Sequence, residues 1–399
     1  MDLTPFKNCF AHKNAVYIST NKEPLAPCCF FKKGYASSTW SDYQQKLESV
    51  DIEEACKYCI DMEKGGATWS HRLQYEQDFY RSPDFGKIFV AGVCFDNVCN
   101  LKCTTCGPAN SSQWIGDYQK LNLFRIPDQL KQFTRMQKEA PSKVEFLKNA
   151  LATVTYDTFR LDIFGGESTI NPSIIEFIDW LANSDYASKV MINVTTNGTK
   201  FFQKLIDYHH KFKYIMIQVS IDGIEDHFEY LRYGAIWEEV KQNILQYDQL
   251  SQQLNNLSVS LHYTLSWMNS LHFADFYKWV FENTHNMDGL NLTKVMGPKR
   301  YSVDILPPKS KAIIKQVVLD KISKIDISTL PEKKQTLYQH LLNLYVTSID
   351  SYSEEVYLQI DQRIEAKTML LRLDGIRDTD HKKTFAEMLE HFNRTDNGK

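Results

Sequence analysis

Three cysteines, Cys99, Cys103 and Cys106, stand at C-x3-C-x2-C spacing in the run Cys99-Asn-Leu-Lys-Cys103-Thr-Thr-Cys106. The run follows an apolar stretch, Lys87 to Val93, that reads as a strand. A short loop at a strand end brings three thiolates toward one point. Thiolates are ligands for zinc and for iron–sulfur clusters. A [4Fe–4S] cluster asks for one terminal ligand on each iron, so three local cysteines leave one iron for a ligand from outside the protein. A structural zinc site closes every position and wants a fourth Cys or His close by. After Cys106 the first such residue is His209. The spacing favours a cluster with an open iron; a zinc knuckle is the alternative.

Other chemistry-bearing residues fall at the ends of apolar runs. Phe164-Gly165-Gly166-Glu167 follows the run Thr158–Phe164. Paired glycines let backbone approach a ligand closely, and a glutamate there can accept from an ammonium group. Thr195-Thr196-Asn197-Gly198 follows the run Lys189–Thr195, and Ser220-Ile221-Asp222-Gly223 follows Tyr214–Ser220. Ser220 and Asp222, at i and i+2, can face one ligand and suit ribose or carboxylate contacts. Arg232, in Leu231-Arg232-Tyr233-Gly234, can grip a carboxylate in bidentate fashion. Cys94, at the end of the first run, reads as a small buried hydrophobe. Tyr263, His262 and Trp267 lie near the end of a fifth run and read equally as packing.

A second set of thiols precedes these: Cys9, the Cys28-Cys29 pair, and Cys56-x-x-Cys59. They fit one four-coordinate centre, built from Cys9, one of the pair, Cys56 and Cys59. Adjacent residues in extended backbone point opposite ways, so one of the pair ligates; Cys28 is the preferred choice. All nine cysteines lie at or before Cys106. That distribution suits metal or redox chemistry in a reducing compartment, not disulfide stapling, and a cytoplasmic location is expected.

The elements that must hold these residues alternate between strand and helix signals. Candidate strands are Lys87–Val93, Thr158–Phe164, Lys189–Thr195, Tyr214–Ser220, Leu257–Leu265 and Gly289–Val295. Such alternation predicts a parallel sheet with crossover helices and ligands at the carboxyl ends of the strands. Two helices, Leu130–Lys138 and Ser142–Leu151, are expected in the first interval. Trp40 to Val50 reads as another helix, with Ser41 as N-cap. Pro307-Pro308 opens a tail with helices near Lys309–Lys324, Pro331–Ser348 and Thr384–Asn393, and a further helical run at Asp361-Gln362-Arg363. The division expected is an N-terminal cysteine module at 1–80, an α/β unit at 81–300 and a helical region at 301–399. With 43% hydrophobic residues, 24% charged and net charge −3, the chain can bury a core, and no extended nucleic-acid surface is indicated. No apolar stretch reaches membrane-spanning length, and no signal peptide is evident.

Taken together, the C-x3-C-x2-C loop, Gly165-Gly166-Glu167 and the run "SIDG…HFEYLRYG…WEEVKQNI" resemble the radical S-adenosylmethionine (radical SAM) superfamily. Ser168 replaces the proline that usually follows the Gly-Gly-Glu motif. Cys9, Pro27-Cys28-Cys29, the Trp40 helix, Cys56-x-x-Cys59 and Ser70-His71-Arg72 resemble the family's SPASM/twitch auxiliary-cluster module, here ahead of the barrel. The resemblance implies a partial (β/α)6 barrel. It implies a catalytic [4Fe–4S] cluster on Cys99, Cys103 and Cys106, with S-adenosylmethionine held by Gly165, Gly166, Glu167, Asn197, Ser220, Asp222 and Arg232. An auxiliary [4Fe–4S] cluster on Cys9, Cys28, Cys56 and Cys59 is also implied. The activity implied is reductive cleavage to a 5′-deoxyadenosyl radical, which abstracts hydrogen from a substrate. That substrate is expected to be a peptide, the alternative being a small metabolite or nucleotide. An electron donor such as flavodoxin or ferredoxin is expected as partner. A non-catalytic iron–sulfur sensor or zinc-bound module is the alternative from another class.

Overall fold

The computed structural model describes residues 9, 11, 14–19, 25–28, 31–32, 34–64, 70, 72–73, 88–124, 128–351 and 360–394. Cys29, His71 and Lys87 lie outside them. Eight strands form one sheet: β1 (Ala15–Ile18), β2 (Leu25–Ala26), β3 (Ile88–Val93), β4 (Thr158–Ile163), β5 (Val190–Thr196), β6 (Tyr214–Ile221), β7 (Leu257–Leu265) and β8 (Gly289–Lys294). The order is β2-β1-β3-β4-β5-β6-β7-β8. Every neighbouring pair is parallel except β1 with β2.

The six strands expected from the apolar runs are β3 to β8, in chain order, with ends moved by at most a residue. The other two come from the N-terminal segment. β1 pairs parallel with β3, Ala15 opposite Val90 through Ile18 opposite Val93, so the first cysteines join the same sheet as the central loop.

One face of the sheet is sealed. Phe159, Leu161 and Ile163 of β4, Val190, Ile192 and Val194 of β5, and Ile215, Ile217 and Val219 of β6 are all buried. Helices Pro172–Ala182, Trp237–Gln253 and Phe273–Asn283 supply buried apolar side chains to the same core. Most alternate positions are polar and only half-buried: Arg160, Asp162, Asn193, Thr195, Gln218, Ser220, His262 and Thr264, with Met191 and Met216 as the apolar exceptions. A parallel sheet covered on both faces would instead read as continuous apolar runs. Alternation here marks a second face that solvent or a ligand can reach. Its side chains satisfy one another: Asn193 Nδ2 donates to Asp162 Oδ1 at 3.1 Å, Arg160 Nε pairs with the same oxygen at 3.0 Å, and His262 Nε2 meets Thr293 Oγ1 at 2.8 Å. Tyr263 and Trp267 are fully buried and bonded to the carbonyls of Asn269 and Arg300, which is packing.

Two local expectations are corrected. The Trp40 helix runs Trp40–Glu48 and is capped by Thr39, not Ser41. Thr39 has extended φ/ψ, and its hydroxyl accepts from Asp42 N at 3.3 Å, whereas Ser41 is already inside the helix. The two helices expected between β3 and β4 are one, Asp128–Thr153, with Pro141 inside it. Its buried stripe (Met136, Ala140, Val144, Leu147, Leu151) continues across the proline, and this packing outweighs the lost hydrogen bond.

The tail is helical, as expected. Helix Glu332–Asp350 lies against β8, and Tyr345 stacks on Phe273 with centroids 4.3 Å apart. No helix among the described residues is long and apolar enough to cross a membrane.

His227, on helix Glu225–Leu231, packs its ring on His272 (centroids 3.5 Å) and edge-on to Phe385 of the tail. Burial, then the neighbouring His272, holds it down at about 4, below its ordinary 6.5. The unfolded chain binds that proton more readily, so this contribution to stability is complete above pH 6.5 and fades as pH falls toward 4. In H227F the thermal midpoint should decline less across that window than in the wild type; parallel declines would contradict the assignment.

Candidate functional site

The loop after β3 has no ladder, so its backbone must find partners elsewhere. The segment Tyr230–Tyr233 supplies them. Lys102 N donates to Tyr233 O at 2.9 Å, Thr104 N to Leu231 O at 2.7 Å, and Thr104 Oγ1 to Tyr230 O at 3.2 Å. Trp114 Nε1 donates to Cys103 O at 3.0 Å and Ser111 Oγ to Leu101 O at 2.5 Å. Cys99, Cys103 and Cys106 all line one cavity of about 570 Å³. The same cavity is lined by Gly165 and Gly166 after β4, Asn197 after β5, Ser220 and Asp222 at the end of β6, and Arg232. Nine of the ten central residues singled out in the sequence therefore converge at the carboxyl end of the sheet.

Glu167 is the tenth, and its side chain is engaged elsewhere. Its carboxylate is buried and takes four hydrogen bonds: from Thr169 N (3.0 Å), Thr169 Oγ1 (2.7 Å), Thr196 Oγ1 (2.6 Å) and Asn197 N (2.6 Å). It ties the end of β4 to the end of β5. Its own N donates to Val98 O at 2.7 Å, which fastens the same turn to the cysteine loop. Gly165 and Gly166 have φ of +85° and +58°. A Cβ at Gly165 would overlap Cys94 Sγ, and one at Gly166 would overlap Val98 O. Both glycines are required on two counts, left-handed backbone and close approach.

Arg232 is 7% exposed, and its Nε pairs with Asp222 Oδ2 at 3.0 Å. The other carboxylate oxygen of Asp222 accepts from Thr264 N at 3.1 Å. The site thus presents a buried cation already balanced by an anion. Asn197 bonds Asn100 Oδ1 at 2.9 Å and lies 3.9 Å from Cys99 Sγ.

The three thiols fit a metal centre by their setting. Burial pushes all of them up, Cys106 to about 11 and Cys103 further, so as thiols they are neutral at pH 7. A metal that displaces those protons would gain the ligands. Among the described residues the only three Cys, His, Asp or Glu ligand atoms all within 4.8 Å are those of Asp374, Asp380 and His381. Those are engaged in capping and mutual hydrogen bonds.

In the N-terminal segment, Cys9 and Cys28 pack on the small cluster Ala11, Ala15, Ile88 and Val90. Lys32 N bonds Ala55 O at 3.1 Å, which draws the loop after Cys28 toward Cys56. Burial, then the nearby thiols of Cys9 and Cys59, raises Cys56 to about 12. Past Cys59, Glu63 accepts from Ser70 Oγ (2.5 Å) and Arg72 Nε (3.1 Å), and this clamp is buried.

Of the other residues lining the cavity, three carry no clear mark in the sequence. Tyr17 and Ser19, on and just after β1, line the cavity, and Tyr17 stacks on Phe164 at 5.2 Å. Alternation in Ala15-Val16-Tyr17-Ile18-Ser19 is the available signal. Cys94 lines it too, with its thiol pushed up to about 12 by burial.

Neither a protein-family model nor a curated protein sequence matches this chain. Among solved structures it is similar to native anSMEcpe with bound AdoMet and Cp18Cys peptide, at 15% identity over 58% of each chain and TM-score 0.36. It is also similar to Streptococcus suis SuiB bound to S-adenosylmethionine (13% identity, 75% of this chain, 53% of that, TM-score 0.34). For SuiB bound to precursor peptide SuiA the figures are 12%, 70%, 62% and 0.36. In each case the match spans less than two thirds of the other chain.

E167Q replaces one acceptor oxygen with an NH2 facing donors. It should lower stability by about 1–3 kcal/mol, read as a lower midpoint in urea. G166A should be worse, because its Cβ would overlap Val98 O. Wild-type stability in both would contradict the site as described.

Proposed function

We propose that this chain is a radical SAM enzyme. The carrying observation is the convergence of three thiols from one loop with Gly165, Gly166, Asn197, Ser220 and Asp222, from three further strand ends, and Arg232, just past helix Glu225–Leu231, on one cavity. The particular reading is an enzyme that abstracts hydrogen from a peptide and carries an auxiliary [4Fe–4S] cluster in the segment ahead of the barrel. When bound, the catalytic cluster supplies the electron that cleaves the sulfonium of S-adenosylmethionine.

Cys99, Cys103 and Cys106 would hold that cluster and leave one iron open. Arg232 offers its guanidinium to the carboxylate of the cosubstrate, sharing it with Asp222. Gly165 and Gly166 bring bare backbone to the cavity wall. Ser220 offers a hydroxyl. Glu167 acts by fixing the turns and not by direct contact through its carboxylate, while Asn197, held by Asn100 Oδ1, stays on the cavity wall. The half-buried polar face of the sheet, with Asn193, Gln218 and His262, is where hydrogen-bonding substrate groups are received. Cys9, Cys28, Cys56 and Cys59 would hold the auxiliary cluster. The packing of Cys9 and Cys28 on one patch, and the influence of Cys9 and Cys59 on Cys56, support that set.

The test is anaerobic reconstitution with iron and sulfide, then dithionite and S-adenosylmethionine. About eight irons per chain and 5′-deoxyadenosine by mass spectrometry are expected. C99A should keep about four irons and form no 5′-deoxyadenosine. Zinc uptake, or iron without cleavage, would overturn the reading.

A further inference from the structure

We propose that Arg377, at the end of tail helix Ile360–Arg377, is a positioning residue for the cysteine loop and sets the charge beside the metal centre. Asp117, on helix Trp114–Lys120, is buried and holds two cations. Its Oδ1 accepts from Lys102 Nζ at 2.8 Å, and its Oδ2 pairs with Arg377 Nε at 3.0 Å. Lys102 stands inside the C-x3-C-x2-C run, directly before Cys103.

The Arg377 guanidinium also lies over the rings of Trp114 (4.5 Å) and Tyr233 (4.8 Å). Each ring belongs to a residue that grips the loop: Trp114 bonds Cys103 O, and Tyr233 O accepts from Lys102 N. Tyr233 OH donates back to Arg377 O at 3.0 Å. A cation held between two aromatic faces and a buried carboxylate is a directional lock, which an ammonium cannot match in geometry. The charges also matter. Lys102 and Arg377 against Asp117 sum to +1, beside a group whose reduction adds negative charge. A net positive neighbourhood favours the reduced state.

Arg300 supplies the control. It anchors the same helix through Glu365 (2.6 Å) with its guanidinium over Tyr301, and no hydrogen bond in this second anchor involves the cysteine loop. Loss of helix docking in general would follow from R300Q as readily as from R377Q.

Two measurements test the proposal. Hydrogen exchange on the metal-free protein reads the lock without any cluster: R377Q should speed exchange of the Lys102 and Thr104 amides about tenfold, and R300Q should not. The potential of the loaded protein rests on the cluster reading. At fixed solution potential, R377Q should lower the ratio of reduced to oxidised cluster about tenfold, equal to about 59 mV for one electron. R377K keeps the charge, so its ratio should stay near wild type while exchange is still raised. If R377Q does not fold, K102Q removes the same charge without touching the tail and should lower the ratio likewise. Wild-type exchange and potential in R377Q, or equal effects from R300Q, would overturn the proposal. Failure of the wild type to bind iron would overturn the cluster reading and leave the exchange result standing.

Discussion

Everything at this site depends on satisfying the backbone of a loop that belongs to no ladder. Residues between β3 and helix Trp114–Lys120 carry three thiols that must face one point, and nothing regular holds them there. The chain solves this by borrowing partners from the last turn of helix Glu225–Leu231 and just beyond it: Tyr230, Leu231 and Tyr233 each take a hydrogen bond from the loop. The segment that holds the loop then runs directly into Arg232, the cation of the cavity. Cysteine placement and cation placement are one structural event.

Glu167 plays the matching part on the other side. A carboxylate with four donors is a strongly satisfied buried anion, and removal of any donor would leave charge without compensation. It sits where β4, β5 and the cysteine loop meet. The left-handed glycines beside it exist because Val98 and Cys94 are already in the way of any Cβ. The Gly-Gly-Glu segment is therefore a structural rivet. Its backbone faces the cavity while its side chain faces inward.

The amino-acid sequence carries much of this, for particular reasons. β4 to β8 announce themselves by apolar residues at every second position, and chemistry-bearing residues at run ends follow from parallel topology. Local patterns are also where residue types mislead. Thr39 and Ser41 both carry hydroxyls, and only the backbone decides which one caps. Pro141 reads as a break, and only the continuous buried stripe overrules it. The pairs Arg232–Asp222 and Arg377–Asp117 are not legible in the sequence. The first depends on a turn geometry that residue types do not encode. The second joins residues 260 apart along the chain, with no local pattern to mark it. The role of β1 is hidden too, because a short strand signal does not say which edge it joins.

The central claim is that the three-thiol loop leaves one iron open to a ligand from outside. Low-temperature electron paramagnetic resonance of the dithionite-reduced protein, with and without S-adenosylmethionine, tests it most directly. The account predicts a [4Fe–4S] signal whose g-values change on addition of S-adenosylmethionine, and loss of that response in a Cys103→Ala variant. A spectrum that S-adenosylmethionine leaves unchanged would mean that every iron is closed by protein, and the account would be wrong.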